Sequence, residues 1–130
     1  MNPNGMLTVS SLLSILFLSF HLTDDIVRGF EPGGVATMTG VLILVVWLYA
    51  TLVLAERRSG YVIVLVASLL GSLIPVIHMR GTGGVVGGDI AQSSGAFFWV
   101  WTLIALGVTA IFSVILAARG LWNLRSGQPR

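Results

Sequence analysis

The stretch AFFWVWTLIALGVTAIFSVILAA, residues 96–118, decides the fold class because it contains no charged residue. A transmembrane helix needs about 20 consecutive residues that are mostly apolar, since each residue advances about 1.5 Å through a hydrocarbon layer about 30 Å thick. The segment reaches that length and is more apolar than a soluble core helix needs to be. We therefore predict a membrane-spanning helix over residues 96–118.

The composition of the whole chain agrees with a membrane protein. Of its 130 residues, 55% are hydrophobic and 9% are charged, whereas about 25% of an ordinary soluble domain is charged. The mean hydropathy is +0.96. A water-soluble globule is therefore excluded, and at about 20 residues per span the chain has room for at most four or five helices in one small domain.

Three further segments pass the same test of length and apolar character. They cover residues 7–29, 35–55 and 61–78. Pro75 removes one backbone hydrogen bond from the third of them, which predicts a kink near Gly71. The sequence thus predicts an all-α integral membrane protein: a single domain built as a four-transmembrane-helix bundle, with a glycine-rich outer loop over residues 80–95.

The placement of the arginines predicts the orientation of this bundle, because basic residues near helix ends concentrate on the cytoplasmic side. Two arginines fall at one end, Arg28 and Arg80. The other five fall at the opposite end: Arg57, Arg58, Arg119, Arg125 and Arg130. We therefore expect both termini in the cytoplasm of a multi-pass protein of the cell (plasma or inner) membrane.

Aromatic residues are consistent with this orientation, since Trp and Tyr concentrate at the two membrane interfaces. Trp122 and Tyr61 fall at the inner boundaries. We expect an outer belt at the start of the fourth helix, formed by Phe97, Phe98, Trp99 and Trp101.

The first predicted helix carries polar residues near its outer end. Spacings of three or four residues place them largely on one helical face. An aspartate costs about 2.5 to 3.5 kcal/mol at the centre of a membrane and less toward the interface, so partners must offset that cost. The residues concerned are His21, Asp24, Asp25 and Arg28.

The third predicted helix supplies further polar groups at the same outer end, His78 and Arg80. If the first and third helices are neighbours, two histidines, two aspartates and two arginines converge there. In that arrangement Arg28 and Arg80 balance charge. The candidate set for a cation, metal or proton is His21, Asp24, Asp25 and His78.

Three interpretations of this group stay open. Two histidines and a carboxylate suit a divalent metal such as Zn, Fe, Mn or Cu(II), the one cofactor that the chain suggests. The same residues could form a proton or cation relay, because histidine titrates near neutral pH. In the third interpretation the arginines neutralise the acids, and the group is a structural clamp between helix ends.

These interpretations correspond to different kinds of protein. The first two predict a cation- or metal-binding protein of the transporter or channel type. The clamp predicts a non-catalytic accessory or interaction subunit of a larger membrane complex. A membrane-embedded, metal-dependent enzyme acting on lipid is the third candidate, and catalysis is disfavoured because the chain has no cysteine and no serine in a nucleophile elbow.

Small residues indicate how the helices associate, since packing in lipid depends on close backbone approach. Gly71 on the third helix is one such position. The fourth helix carries a stripe at a spacing of four: Ala105, Thr109, Ser113 and Ala117. This stripe would pack either inside the bundle of one chain or against a second copy of the chain.

The expected partners are the lipid bilayer and other membrane proteins. Four thin helices enclose little interior, so we expect a homo-oligomer or a larger membrane complex. The arginines are too scattered to follow a phosphate backbone, and nucleic acid is not an expected partner.

The size and helix number resemble the small four-helix transporters of the multidrug-resistance type and the small fluoride channels, both of which work as dimers. The multidrug type has an acidic residue near the middle of its first helix. Here the acids, Asp24 and Asp25, lie at the outer end of that helix. The resemblance is therefore one of architecture, and no functional residue is carried over from either family.

Overall fold

A computed structural model describes residues 2–30, 34–78 and 94–127 of the chain. All the regular secondary structure in these residues is helical. The four helices are α1 (Pro3–Arg28), α2 (Val35–Leu52), α3 (Arg58–His78) and α4 (Ala96–Ser126). Helices α1, α3 and α4 are long and apolar enough to cross a membrane, whereas α2 contributes a shorter apolar stretch, Thr37–Leu52. The prediction of an all-helical chain with membrane-capable helices is confirmed.

Helix α1 has clear signals at both ends. Asn2 accepts a hydrogen bond from the backbone N–H of Gly5 at 2.7 Å, and Pro3 occupies the first turn, where its missing N–H is not needed. The helix ends at Gly29, whose φ of 75° lies in the left-handed region that glycine adopts without strain. It therefore starts before residue 7, where the apolar run of the sequence begins.

Helix α4 extends beyond residue 118, where the uncharged stretch of the sequence ends. Its 31 residues end at Ser126, and a helix of that length measures about 46 Å. This is longer than a hydrocarbon layer of about 30 Å, so its last turns carry Arg119 and Arg125 past the apolar segment. Most of the predicted loop over residues 80–95, including Arg80, lies outside the described residues.

The helices pack with α4 lying along both α1 and α3, while α2 packs against α1 and α3 from the side. Three members of the small-residue stripe on α4 are buried inside the bundle, namely Ala105, Ser113 and Ala117. On α3, a Cβ built at Gly71 would lie 3.2 Å from the ring of Trp47 and 3.6 Å from Cβ of Ala110. Gly71 thus lets α3 approach both α2 and α4 closely.

A set of buried hydroxyl groups joins α1 to α2 and α4. Ser11 Oγ lies 2.7 Å from Thr51 Oγ1 and accepts a hydrogen bond from Trp47 Nε1 at 2.8 Å. Two further bonds reach α4: Ser14 to Thr109 at 3.0 Å, and Ser113 to Ser10 at 2.9 Å. Hydrogen bonds between helices satisfy groups that lipid cannot, so they help to set the helix register.

Candidate metal centre

His21 and Asp25 of α1 meet His78 of α3 at one end of the bundle. Oδ2 of Asp25 lies 3.3 Å from Nε2 of His21 and 3.7 Å from Nε2 of His78. Each of the three residues offers a ligand atom within 4.8 Å of the others. The expected convergence of the first and third helices therefore occurs, and it brings together two imidazoles and one carboxylate.

The position of each residue follows from its helix. His21 and Asp25 are one turn apart on α1, so their side chains lie on the same face. His78 is the last residue of α3, and its Nδ1 lies 3.0 Å from the carbonyl oxygen of Ile74. A carbonyl can only accept a hydrogen bond, so Nδ1 donates to it, and Nε2 is the ring nitrogen turned toward Asp25. This is how metal-binding histidines are commonly oriented.

His21 is the most unusual residue of the group. It is 2% exposed, and neither ring nitrogen has a hydrogen-bond partner among the described residues. Its contact with Asp25 has the length of an ion pair but not the alignment of a hydrogen bond. A buried polar group left without a partner costs about 1 to 3 kcal/mol, so the site has unused capacity to bind a ligand.

Trp99 of α4 completes the group from a third helix. Its indole N–H donates to Oδ1 of Asp25 at 2.8 Å, so Oδ2 is left facing the two histidines. The ring centroid of Trp99 lies 5.3 Å from that of His21 and 6.0 Å from that of His78. The two histidine rings are 5.0 Å apart and nearly perpendicular. Three aromatic rings therefore surround the carboxylate.

The role of Trp99 was missed in the sequence. We expected it in an aromatic belt at the interface, yet it is 2% exposed and belongs to the site. In the structure Trp99 shares the buried face of α4 with Leu103, Leu106 and Ala110. The exposed faces of this helix are apolar as well, so the sequence carries no signal that singles out Trp99.

Asp24, the other predicted acidic residue, lies apart from this group. Its Oδ2 accepts a hydrogen bond from Nε of Arg28 at 2.7 Å, an i to i+4 pair on α1. Arg28 thus balances Asp24, while Asp25 is held by Trp99 and the histidines. Arg80, the second predicted charge-balancing residue, is outside the described part of the chain.

An apolar cavity of about 360 Å³ lies beside the three residues, between α1, α2 and α3. His21, Asp25 and His78 form its polar end. Its walls are mainly aliphatic and include Leu22, Ile43, Leu70 and Ile74. The group therefore borders open space and is not closed over on every side.

The arrangement offers two nitrogen donors and one oxygen donor to a cation. Such a set suits Zn²⁺, Fe²⁺, Mn²⁺ or Cu²⁺. Three protein ligands leave at least one coordination position open for water or another molecule. No protein-family model, curated protein or solved structure matches this chain, so the geometry itself carries the functional argument.

Proposed function

We propose that this chain is a small integral membrane protein that binds one divalent metal ion through His21, Asp25 and His78. The observation that carries the proposal is His21. Its imidazole is buried without a hydrogen-bond partner among the described residues, beside a carboxylate and a second histidine. A metal ion would use the lone pair of His21 and neutralise the charge of Asp25 at once.

The distances between the donor atoms support this assignment. In a tetrahedral site with bonds of about 2.0 to 2.2 Å, neighbouring ligand atoms are about 3.3 to 3.6 Å apart. The two distances from Asp25 Oδ2, 3.3 and 3.7 Å, lie close to that range. Zn²⁺ is accordingly the first metal to test, and Trp99 and the Ile74 carbonyl would orient the ligands from behind.

We place the site in a bundle of four membrane-spanning helices with both termini in the cytoplasm. Helix α2 has 18 residues and so measures about 27 Å, close to the thickness of the hydrocarbon layer. The excess of arginines at the end opposite the metal site supports this orientation, in which the site would lie near the outer face of the cell membrane.

A role in transport fits a metal site with an open coordination position beside a cavity between helices. A homo-oligomer, or a larger membrane complex, would supply the walls that four helices by themselves do not form. Both transport and assembly are compatible with an ion that is bound by His21, Asp25 and His78 alone.

Elemental analysis of the purified protein tests the proposal. Wild-type protein and the His21→Ala/His78→Ala variant are loaded with Zn²⁺ in detergent and dialysed against metal-free buffer. We expect one metal ion per chain in the wild type and none in the variant, with circular dichroism showing that both are helical. A wild type without metal, or equal metal in both proteins, would contradict the proposal.

A second candidate is supported by the contacts of Asp25 itself. Because Asp25 touches both Trp99 of α4 and His78 of α3, the cluster also ties three helix ends together without an ion. A non-catalytic accessory subunit would need only this clamp. If His21→Ala lowers the thermal stability in detergent while the wild type holds no metal, the clamp is favoured.

The third candidate, a metal-dependent enzyme acting on lipid, is tested by a different measurement. It requires turnover of a membrane lipid that stops when the metal is removed by a chelator. Wild-type protein that holds metal but turns over no lipid in a panel of common phospholipids would rule it out.

A further inference from the structure

At the end of the bundle opposite the metal centre, a cavity of about 470 Å³ lies between the first turns of α3 and the last turns of α4. Two arginines line it, one from each helix: Arg58 and Arg125. The rest of its lining is apolar and consists of Val62, Leu121 and Leu124. The cavity therefore combines two cationic groups with an aliphatic wall.

Neither arginine forms an ion pair with an acid in the part of the chain that the structure describes. The two ion pairs and the His78 contact found there all lie at the other end of the bundle. Glu56, an acid close to Arg58 in sequence, lines a different cavity. Arg58 also opens α3, where the first backbone N–H groups of the helix carry partial positive charge. Among residues 2–30, 34–78 and 94–127, the cavity is thus lined by two cationic groups and by no acid.

Packing between α3 and α4 holds the two arginines at this position. Gly120 of α4 lies so close to the ring of Tyr61 that a Cβ there would collide with it. This contact fixes the register of the helices between Arg58 and Arg125. Trp122, on the turn between Gly120 and Arg125, is 67% exposed, as is typical of tryptophans at the level of lipid headgroups.

From these features we infer that the cavity holds one anionic phospholipid, with its phosphate between Arg58 and Arg125. Guanidinium groups bind phosphate oxygens through paired hydrogen bonds. The aliphatic wall would contact the first part of an acyl chain, which a free phosphate ion lacks. Basic pockets between transmembrane helices on the cytoplasmic side are known to bind such headgroups. This site is independent of the metal centre.

The test compares three proteins in lipid-free detergent: the wild type, Arg58→Gln/Arg125→Gln, and Arg119→Gln as the matched control. Arg119 is exposed on the same end of α4 but does not line the cavity. Binding of phosphatidylglycerol, phosphatidylcholine and inorganic phosphate is measured by native mass spectrometry. We expect phosphatidylglycerol to bind the wild type. Its affinity for the double variant should be roughly thirty-fold weaker, and its affinity for the control should lie within about two-fold of the wild-type value.

Three outcomes would overturn the inference. Equally tight binding of phosphatidylcholine and phosphatidylglycerol to the wild type would show that the charge of the lipid is irrelevant. If inorganic phosphate binds the wild type as tightly as phosphatidylglycerol does, the site is one for a soluble anion. An equal loss in Arg119→Gln would show a general effect of net charge. Should the double variant not fold, each single variant is expected to bind roughly five-fold more weakly, and unchanged binding in both would reject the site.

Discussion

Trp99 on α4 donates its indole N–H to Oδ1 of Asp25 on α1 over 2.8 Å, and so joins residues 74 positions apart. The bond turns the other carboxylate oxygen toward His21 and His78. An isolated aspartate on α1 could rotate freely about its side-chain bonds, whereas this one is held in a single orientation. The geometry of the proposed metal site therefore depends on a residue that does not itself offer a ligand atom.

Replacing Trp99 by Phe is expected to weaken metal binding. The variant keeps an aromatic ring of similar position but leaves Oδ1 of Asp25 without its donor. Loss of such supporting hydrogen bonds typically costs ten- to hundred-fold in metal affinity, and we expect a decrease of about ten-fold or more. Zn²⁺ affinity is measured by competition with a chromogenic chelator. Trp101→Phe is the control, because Trp101 is half exposed and should leave the affinity unchanged.

The two adjacent aspartates are expected to behave differently. Asp25→Asn removes the carboxylate that lies between the histidines and should abolish stoichiometric metal binding. Asp24→Asn loses only the pair with Arg28, a partly exposed i to i+4 interaction worth about 0.5 kcal/mol. Its metal content should match the wild type. Elemental analysis measures the metal content of both variants. Equal losses of metal in the two would contradict the assignment of Asp25, and not Asp24, as the ligand.

The hydroxyl contacts between α1 and α2 predict that Ser11→Ala lowers the stability of the bundle. Trp47 is 1% exposed, and the variant leaves its indole N–H without the acceptor seen at 2.8 Å. We expect the free energy of unfolding in detergent to fall by about 1 to 2 kcal/mol. Ser19→Ala is the control on the same helix, since the hydroxyl of Ser19 donates to the carbonyl of Ile15 in that helix and to no other helix among the described residues. A cost as large for Ser19→Ala would refute the role given to the contact between helices.

Close packing at Gly120 predicts that even one methyl group destabilises the bundle there. In Gly120→Ala the new Cβ would overlap the ring of Tyr61, which also donates a hydrogen bond to Asn4 at 2.7 Å. We expect a loss of about 1 to 3 kcal/mol, seen as a lower thermal midpoint in detergent. In a Tyr61→Ala background the same substitution should cost almost nothing. If the costs simply add, the two residues are not in the contact described.

The orientation can be tested directly because the chain contains no cysteine. Single cysteines are introduced as Ser126→Cys, at the end of α4, and Thr82→Cys, in the connection that precedes it. With intact cells and a thiol reagent that does not cross the membrane, we expect labelling of Thr82→Cys alone. After the membrane is permeabilised, both should react. Labelling of Ser126→Cys in intact cells would reverse the proposed topology.

Part of the candidate metal site was predictable because it depends on spacing within one helix. His21 and Asp25 are four residues apart, so any helix over that stretch puts them on one face. The sequence also marked His78 as a residue at the same end. It could not separate Asp24 from Asp25, since both reach a charged partner at helical spacing. Nor did it mark Trp99 as a partner, because an aromatic residue at a helix start is usually an interfacial one.

The sequence by itself determined that the chain is helical and apolar enough for a membrane. Those properties depend on runs of neighbouring residues, as in the uncharged stretch over 96–118. Only the tertiary structure decided which polar groups meet. Successive residues on a helix point about 100° apart, so the rotation of α1 against α3 and α4 directs Asp25 into the bundle and leaves Asp24 to Arg28. That rotation is set by packing between helices, which no local pattern records.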